Sequence, residues 1–136
     1  MKKSEQRKLI KSRLIPFQTI LLKYQKASKE KFVVLVCDNP ALCFFINSDV
    51  NPNYINNKYV QDFLIPIYHE QLPCLNSGKP SFIHCGDVIN YFSTNEIINQ
   101  LIVDYSRLKG QIDSSIWPLI IKMVKKIEKL IPFKKD

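Results

Sequence analysis

Lys31-Phe-Val-Val-Leu-Val-Cys-Asp-Asn-Pro-Ala-Leu-Cys-Phe-Phe-Ile-Asn-Ser48 consists of two dense apolar runs parted by a short polar turn at Asp38-Asn39-Pro40. Each run is shorter than an ordinary helix, and both are rich in β-branched and aromatic residues. This predicts two neighbouring buried strands at the centre of a sheet. Lys29 and Lys31 precede the first strand, and Asn47-Ser48-Asp49 closes the second. Paired as a hairpin, the strands bring these ends to one edge, where basic and hydroxyl groups suit a phosphate.

Working outward, Phe17 to Lys23 reads as a preceding strand and Tyr24 to Glu30 as a basic connection. The Asn-rich segment 51–58 is too polar for a core and reads as an exposed loop. Asp62 to Tyr68 is apolar enough for a strand, but Pro66 lacks the amide that a central strand donates, so it belongs at an edge. Ser81 to Cys85 and Val88 to Phe92 read as two short segments split by Gly86. From Thr94 the period changes to that of a helical turn running toward Tyr105, and Gly110 reads as a break. Asp113-Ser-Ser then offers an N-cap, and Ile116, Leu119, Ile120, Met123, Val124, Ile127, Leu130 and Ile131 recur at helical spacing. A C-terminal helix over 114–131 follows, with Lys122, Lys125, Lys126 and Lys129 on its other face; the plain reading of such a row is a solvated surface.

A chain of 136 residues makes one domain of the commonest size. We read 16–136 as that domain and residues 1–15 as a basic arm, a tail or short helix outside the main core. With 20 Lys and Arg against 12 Asp and Glu, the formal charge of +8 favours polyanionic partners. Cys37, Cys43, Cys74 and Cys85 lack CxxC spacing and read as reduced packing residues. The alternative is a metal site assembled from Cys74, Cys85, His69 and His84. No apolar run approaches the roughly 18 residues that cross a bilayer, so the expected location is cytoplasmic, with no membrane partner.

In Phe32-Val-Val-Leu-Val, leading to Cys43-Phe-Phe-Ile-Asn-Ser48, the chain resembles the second and third strands of the MazF/PemK-like toxins of type II toxin–antitoxin systems. Pro80-Ser-Phe-Ile-His-Cys-Gly-Asp-Val-Ile-Asn-Tyr-Phe92 and Ser106-Arg-Leu-Lys-Gly-Gln-Ile-Asp113 are similar to that family's late strand and the run before its closing helix. The resemblance spans about residues 16 to 131. It implies a mainly β fold with α, an SH3-like (MazF/PemK/CcdB-type) barrel with a C-terminal helix. It further implies a cofactor-free endoribonuclease that cleaves single-stranded RNA as a homodimer and is neutralised by an acidic antitoxin protein.

Such cleavage needs a base for a ribose 2′-hydroxyl, donors for the phosphorane and an acid for the leaving 5′-oxygen. The family typically places an arginine just before its second strand and a threonine or serine just after its third. Carried onto this chain, the resemblance makes Lys31 and Ser48 the catalytic candidates, with Lys29 or Lys31 opposite Ser48. Lys29, Asn47, Lys58 and His84 become the RNA-binding candidates, and no metal is implied. The chain departs from the family in carrying lysine, a point charge rather than a bidentate fork, at the arginine position. It also has Pro16-Phe17-Gln18 where a Gly-Asp pair is usual. The departures open a second reading, a non-catalytic barrel module that binds RNA or a protein target.

Overall fold

The computed structural model describes residues 2–24, 29–48, 61–75 and 78–130. Strands β1 (Gln18–Tyr24), β2 (Lys29–Asp38), β3 (Ala41–Asn47), β4 (Leu64–Ile67), β5 (Ser81–Ile89) and β6 (Leu108–Gln111) form a six-stranded sheet in the order β4-β5-β3-β2-β1-β6. Every pairing is antiparallel. Helices α1 (Lys3–Ser12), α2 (Thr94–Val103) and α3 (Trp117–Leu130) complete the described elements, with a 3-10 turn at Tyr105–Arg107. The fold is thus mainly β with helices. The sheet curls, because the backbone N–H of Asp113, just past one edge strand, donates to the Gln71 carbonyl, just past the other, at 3.0 Å.

Both faces of the sheet are covered, which explains why the central hairpin reads as unbroken apolar runs rather than as an alternation. Val33, Val34 and Leu35 are all fully buried. One face packs Val34, Phe44, Ile46 and Ile83 against Ile116, Ile120 and Ile127 of the C-terminal segment. The other packs Val33, Leu35, Ile20 and Leu22 against Ile97, Ile98 and Leu101 of α2 and Ile10 and Leu14. The basic arm therefore forms the short helix of its two alternatives, and that helix is no bystander. Ile10 and Leu14 are buried, and the Arg7 guanidinium donates to Asn99 Oδ1 at 2.6 Å and Asn95 Oδ1 at 3.2 Å, side chains one turn apart on α2.

Other expectations are corrected by the tertiary structure. The segments on either side of Gly86 form one strand, and the excess residues are absorbed by a register shift, since Cys43 pairs with Ile89 but Phe45 with His84. Phe92 leaves the strand and is buried in the second core. The break at Gly110 is a strand: Thr19 pairs with Gly110 and Ile20 with Leu108, so Lys109 is the extra residue of a bulge, which Gly110 permits at φ +97°. The helical turn after Ser93 is a full helix of 10 residues, capped by Ser93 Oγ, which accepts from Glu96 N–H at 3.1 Å. Helix α3 begins at Trp117 instead of 114, because residues 114–116 form a turn in which Ser115 N–H donates to Asp113 Oδ1. Leu119, expected in its apolar stripe, is 45% exposed. Pro66 lies on edge strand β4, as its missing amide requires.

Candidate functional site

The hairpin of β2 and β3 is not regular. Next to the turn, Asp38 pairs with Ala41 and Cys37 with Leu42; beyond it, Leu35 pairs with Cys43, Val34 with Phe44, Val33 with Phe45 and Phe32 with Ile46. Val36 is the extra residue, and the bulge shifts the register by one. A regular hairpin would set Lys31 opposite Ser48. The shifted one sets Lys31 opposite Asn47, and the Lys31 ammonium accordingly donates to Asn47 Oδ1 at 3.0 Å. Extended past the end of β3, the same register sets Glu30 opposite Ser48. Opposed residues of an antiparallel pair share a face, and neighbours along a strand do not, so the lysine and the serine belong to opposite faces. The expected lysine–serine opposition is corrected to Lys31–Asn47 on one face and Glu30–Ser48 on the other.

The Glu30 face ends in a cavity of about 480 Å³ whose lining includes Lys29, Glu30, Lys31, Asn47, Ser48 and Ser81. Phe32 and Ile46, the next pair inward, join the lining, and Cys74 and Leu75 close it from the segment after β4. That segment is tied down by His69, whose Nδ1–H donates to the Leu75 carbonyl at 2.8 Å; a carbonyl only accepts, so the proton sits on Nδ1. Continuing the β3–β5 pairing sets Ser48 opposite Ser81. A polar row of Glu30, Ser48 and Ser81 thus crosses three strands above an apolar floor.

The charge of this row is set from outside the hairpin. Arg107 donates from Nη2 to Glu30 Oε1 at 2.9 Å and from Nη1 to the Leu21 carbonyl at 3.0 Å, which fixes the guanidinium against β1. Lys23 on β1 pairs with Glu30 across the strands. With Lys29 and Lys31 at the wall, the cations around the cavity outnumber its lining carboxylate. Burial pushes the Cys74 thiol up from its ordinary value while the nearby Lys109 pulls it down, so no thiolate nucleophile is prepared there.

Four of the expected residues, Lys29, Lys31, Asn47 and Ser48, therefore meet at one cavity. His84 does not join them: it pairs with Phe45 and Leu64 on the face that carries Lys31 and Asn47. Lys58 lies outside the described residues. The Lys31 ammonium sits 5.7 Å from the centre of the Phe45 ring as well as on Asn47. Cys74, Cys85, His69 and His84 do not assemble, and among the described residues no three His, Cys, Asp or Glu side chains gather to hold a metal ion. The residues missed from the sequence are Glu30, Arg107 and Ser81. Glu30 was hidden by the parity change at Val36, and Arg107 lies 77 residues from its partner. Compared with protein-family models, curated proteins and solved structures, the chain has no match. Among the described residues, no helix is long and apolar enough to cross a membrane.

Proposed function

We propose that this chain is a toxin of the MazF/PemK kind, an endoribonuclease that receives single-stranded RNA in the cavity at the open end of the β2–β3 hairpin. The observation that carries the reading is the cavity itself: Glu30, Ser48 and Ser81 lie in one row inside a largely cationic frame. The exposed Ser48 hydroxyl can donate to a phosphate oxygen, and Lys29 and Lys31 draw a polyanion in. The curled sheet with α3 against one face is compatible with the SH3-like barrel that the proposal entails. In this reading the working unit is a homodimer, and an acidic antitoxin segment inhibits by occupying the same cationic opening.

The engagement of Lys31 by Asn47, on the face away from Ser48, favours a second reading in which the barrel binds RNA without cutting it. Incubating the full-length protein with single-stranded oligoribonucleotides in EDTA separates the two. The nuclease reading expects fragments ending in 2′,3′-cyclic phosphate and 5′-hydroxyl. Salt-sensitive binding with all RNAs left intact overturns it in favour of the binding module.

A further inference from the structure

We infer that Glu30 is the proton acceptor of this cavity and that Arg107 is its positioning residue; the inference rests on the nuclease reading above. Attack by a ribose 2′-hydroxyl needs a base that is unprotonated near neutral pH. An alkyl ammonium is protonated there and a carboxylate is not. Lys31, the candidate carried over by resemblance, is an ammonium engaged by Asn47 Oδ1. Among the described residues lining the cavity, Glu30 is the one carboxylate, and it is half exposed at 47%.

One of its oxygens is held in place. Arg107, exposed only to 17%, holds one carboxylate oxygen at 2.9 Å and is itself anchored on the Leu21 carbonyl, leaving Oε2 outside that ion pair. Lys23 pairs with Glu30 across β1, Lys29 and Lys31 flank it in sequence, and Ser48 and Cys74 line the same cavity. A nucleotide whose phosphate meets the exposed Ser48 hydroxyl brings its 2′-hydroxyl to the same cavity, which Glu30 also lines. The 2′-oxygen then bonds to phosphorus as its proton passes to the Glu30 carboxylate. The bond from phosphorus to the 5′-oxygen breaks with its electron pair going to oxygen. That oxygen takes a proton from water at the mouth, and Glu30 returns its own to solvent. Atoms and charge balance with no further reactant, and the products are a 2′,3′-cyclic phosphate and a 5′-hydroxyl.

The test compares wild type, Glu30→Gln, Arg107→Gln and Arg107→Lys of the full chain on a fluorescent single-stranded RNA, with a 2′-O-methyl copy as the uncleavable binding probe. Glu30→Gln keeps the shape and removes the base. Cleavage is expected to fall by about 100-fold or more, while binding of the 2′-O-methyl probe holds or tightens because a negative charge has left the cavity. Arg107→Gln frees the carboxylate from its anchor, so kcat is expected to fall while KM for the RNA holds, and Arg107→Lys, which can still pair with Glu30, is expected to restore part of kcat. Undiminished cleavage by a folded Glu30→Gln overturns the inference and leaves the nuclease reading standing. If that variant does not fold, a kcat for Arg107→Gln equal to that of wild type overturns it instead. A wild type that binds the probe but cleaves no RNA overturns the nuclease reading and this inference with it.

Discussion

The side-chain amide of Gln100 meets the backbone of Lys23 as a neighbouring strand would. Lys23 N–H donates to Gln100 Oε1 at 2.8 Å, and Gln100 Nε2 donates to the Lys23 carbonyl at 3.1 Å. Strand β6 pairs with β1 only from Gln18 to Ile20, and among the described residues no strand pairs with the outer edge of β1 beyond that point. Arg107 satisfies the Leu21 carbonyl and Gln100 satisfies both backbone groups of Lys23. An unpaired strand edge invites pairing with other chains, and two side chains close this one.

Gln100→Ala removes both bonds and is expected to cost about 1–2 kcal/mol by chemical denaturation. Gln100→Glu keeps the acceptor for the Lys23 N–H but sets a carboxylate oxygen against the Lys23 carbonyl, so it should not restore wild-type stability. A Gln100→Ala midpoint equal to wild type would show that water replaces the amide without loss.

Phe17 has φ +72°, a left-handed backbone that costs a residue with a Cβ about 1–2 kcal/mol. It is kept there by an N–H bond to the Leu35 carbonyl at 2.7 Å, by the Ile112 N–H donating to its own carbonyl at 2.9 Å, and by stacking on Trp117 with ring centres 4.7 Å apart. Phe17→Ala loses the stack and keeps the strain, whereas Phe17→Gly loses the stack and relieves it. The glycine variant should therefore melt above the alanine variant, against the usual order of the two residues. The reverse order would mean that the left-handed backbone carries no penalty.

Burial pushes the Cys43 and Cys85 thiols up to about 12, while Cys74 is exposed at the cavity mouth. Alkylation under native conditions, followed by peptide mass spectrometry, should mark Cys74 first and Cys37 more slowly. Cys43 and Cys85 should react only after denaturation. Modification of Cys43 or Cys85 at the rate of Cys74 would contradict the packing of the core.

Asp104 accepts from the Ser106 hydroxyl and the Ser106 N–H, which, with Arg107 and Lys109 nearby, holds its carboxyl below the usual 3.8. A carboxyl lowered by folding adds stability above its unfolded pKa and loses it as pH falls through the folded value. Asp104→Asn should therefore be less stable than wild type at pH 7, with the gap closing as the pH is taken below the carboxylate range. A gap that stays constant down to pH 2 would assign the loss to something other than the ionised carboxyl.

The amino-acid sequence by itself determined the elements whose physics is local. The apolar runs of the hairpin, the Asp38-Asn39-Pro40 turn, the edge position of Pro66 and the spacing of Ile116, Ile120 and Ile127 all need only neighbours along the chain. It also placed Lys29, Lys31, Asn47 and Ser48 at one end of the sheet, where the cavity lies. The tertiary structure alone decided the register. Val36 resembles every other valine in a buried strand, and its place as the extra residue is a property of two packed faces, not of its side chain. That one-residue shift turned Lys31 toward Asn47 instead of Ser48, and Glu30 lines the cavity beside them. Arg107, recruited from the other side of α2, then gave Glu30 its partner.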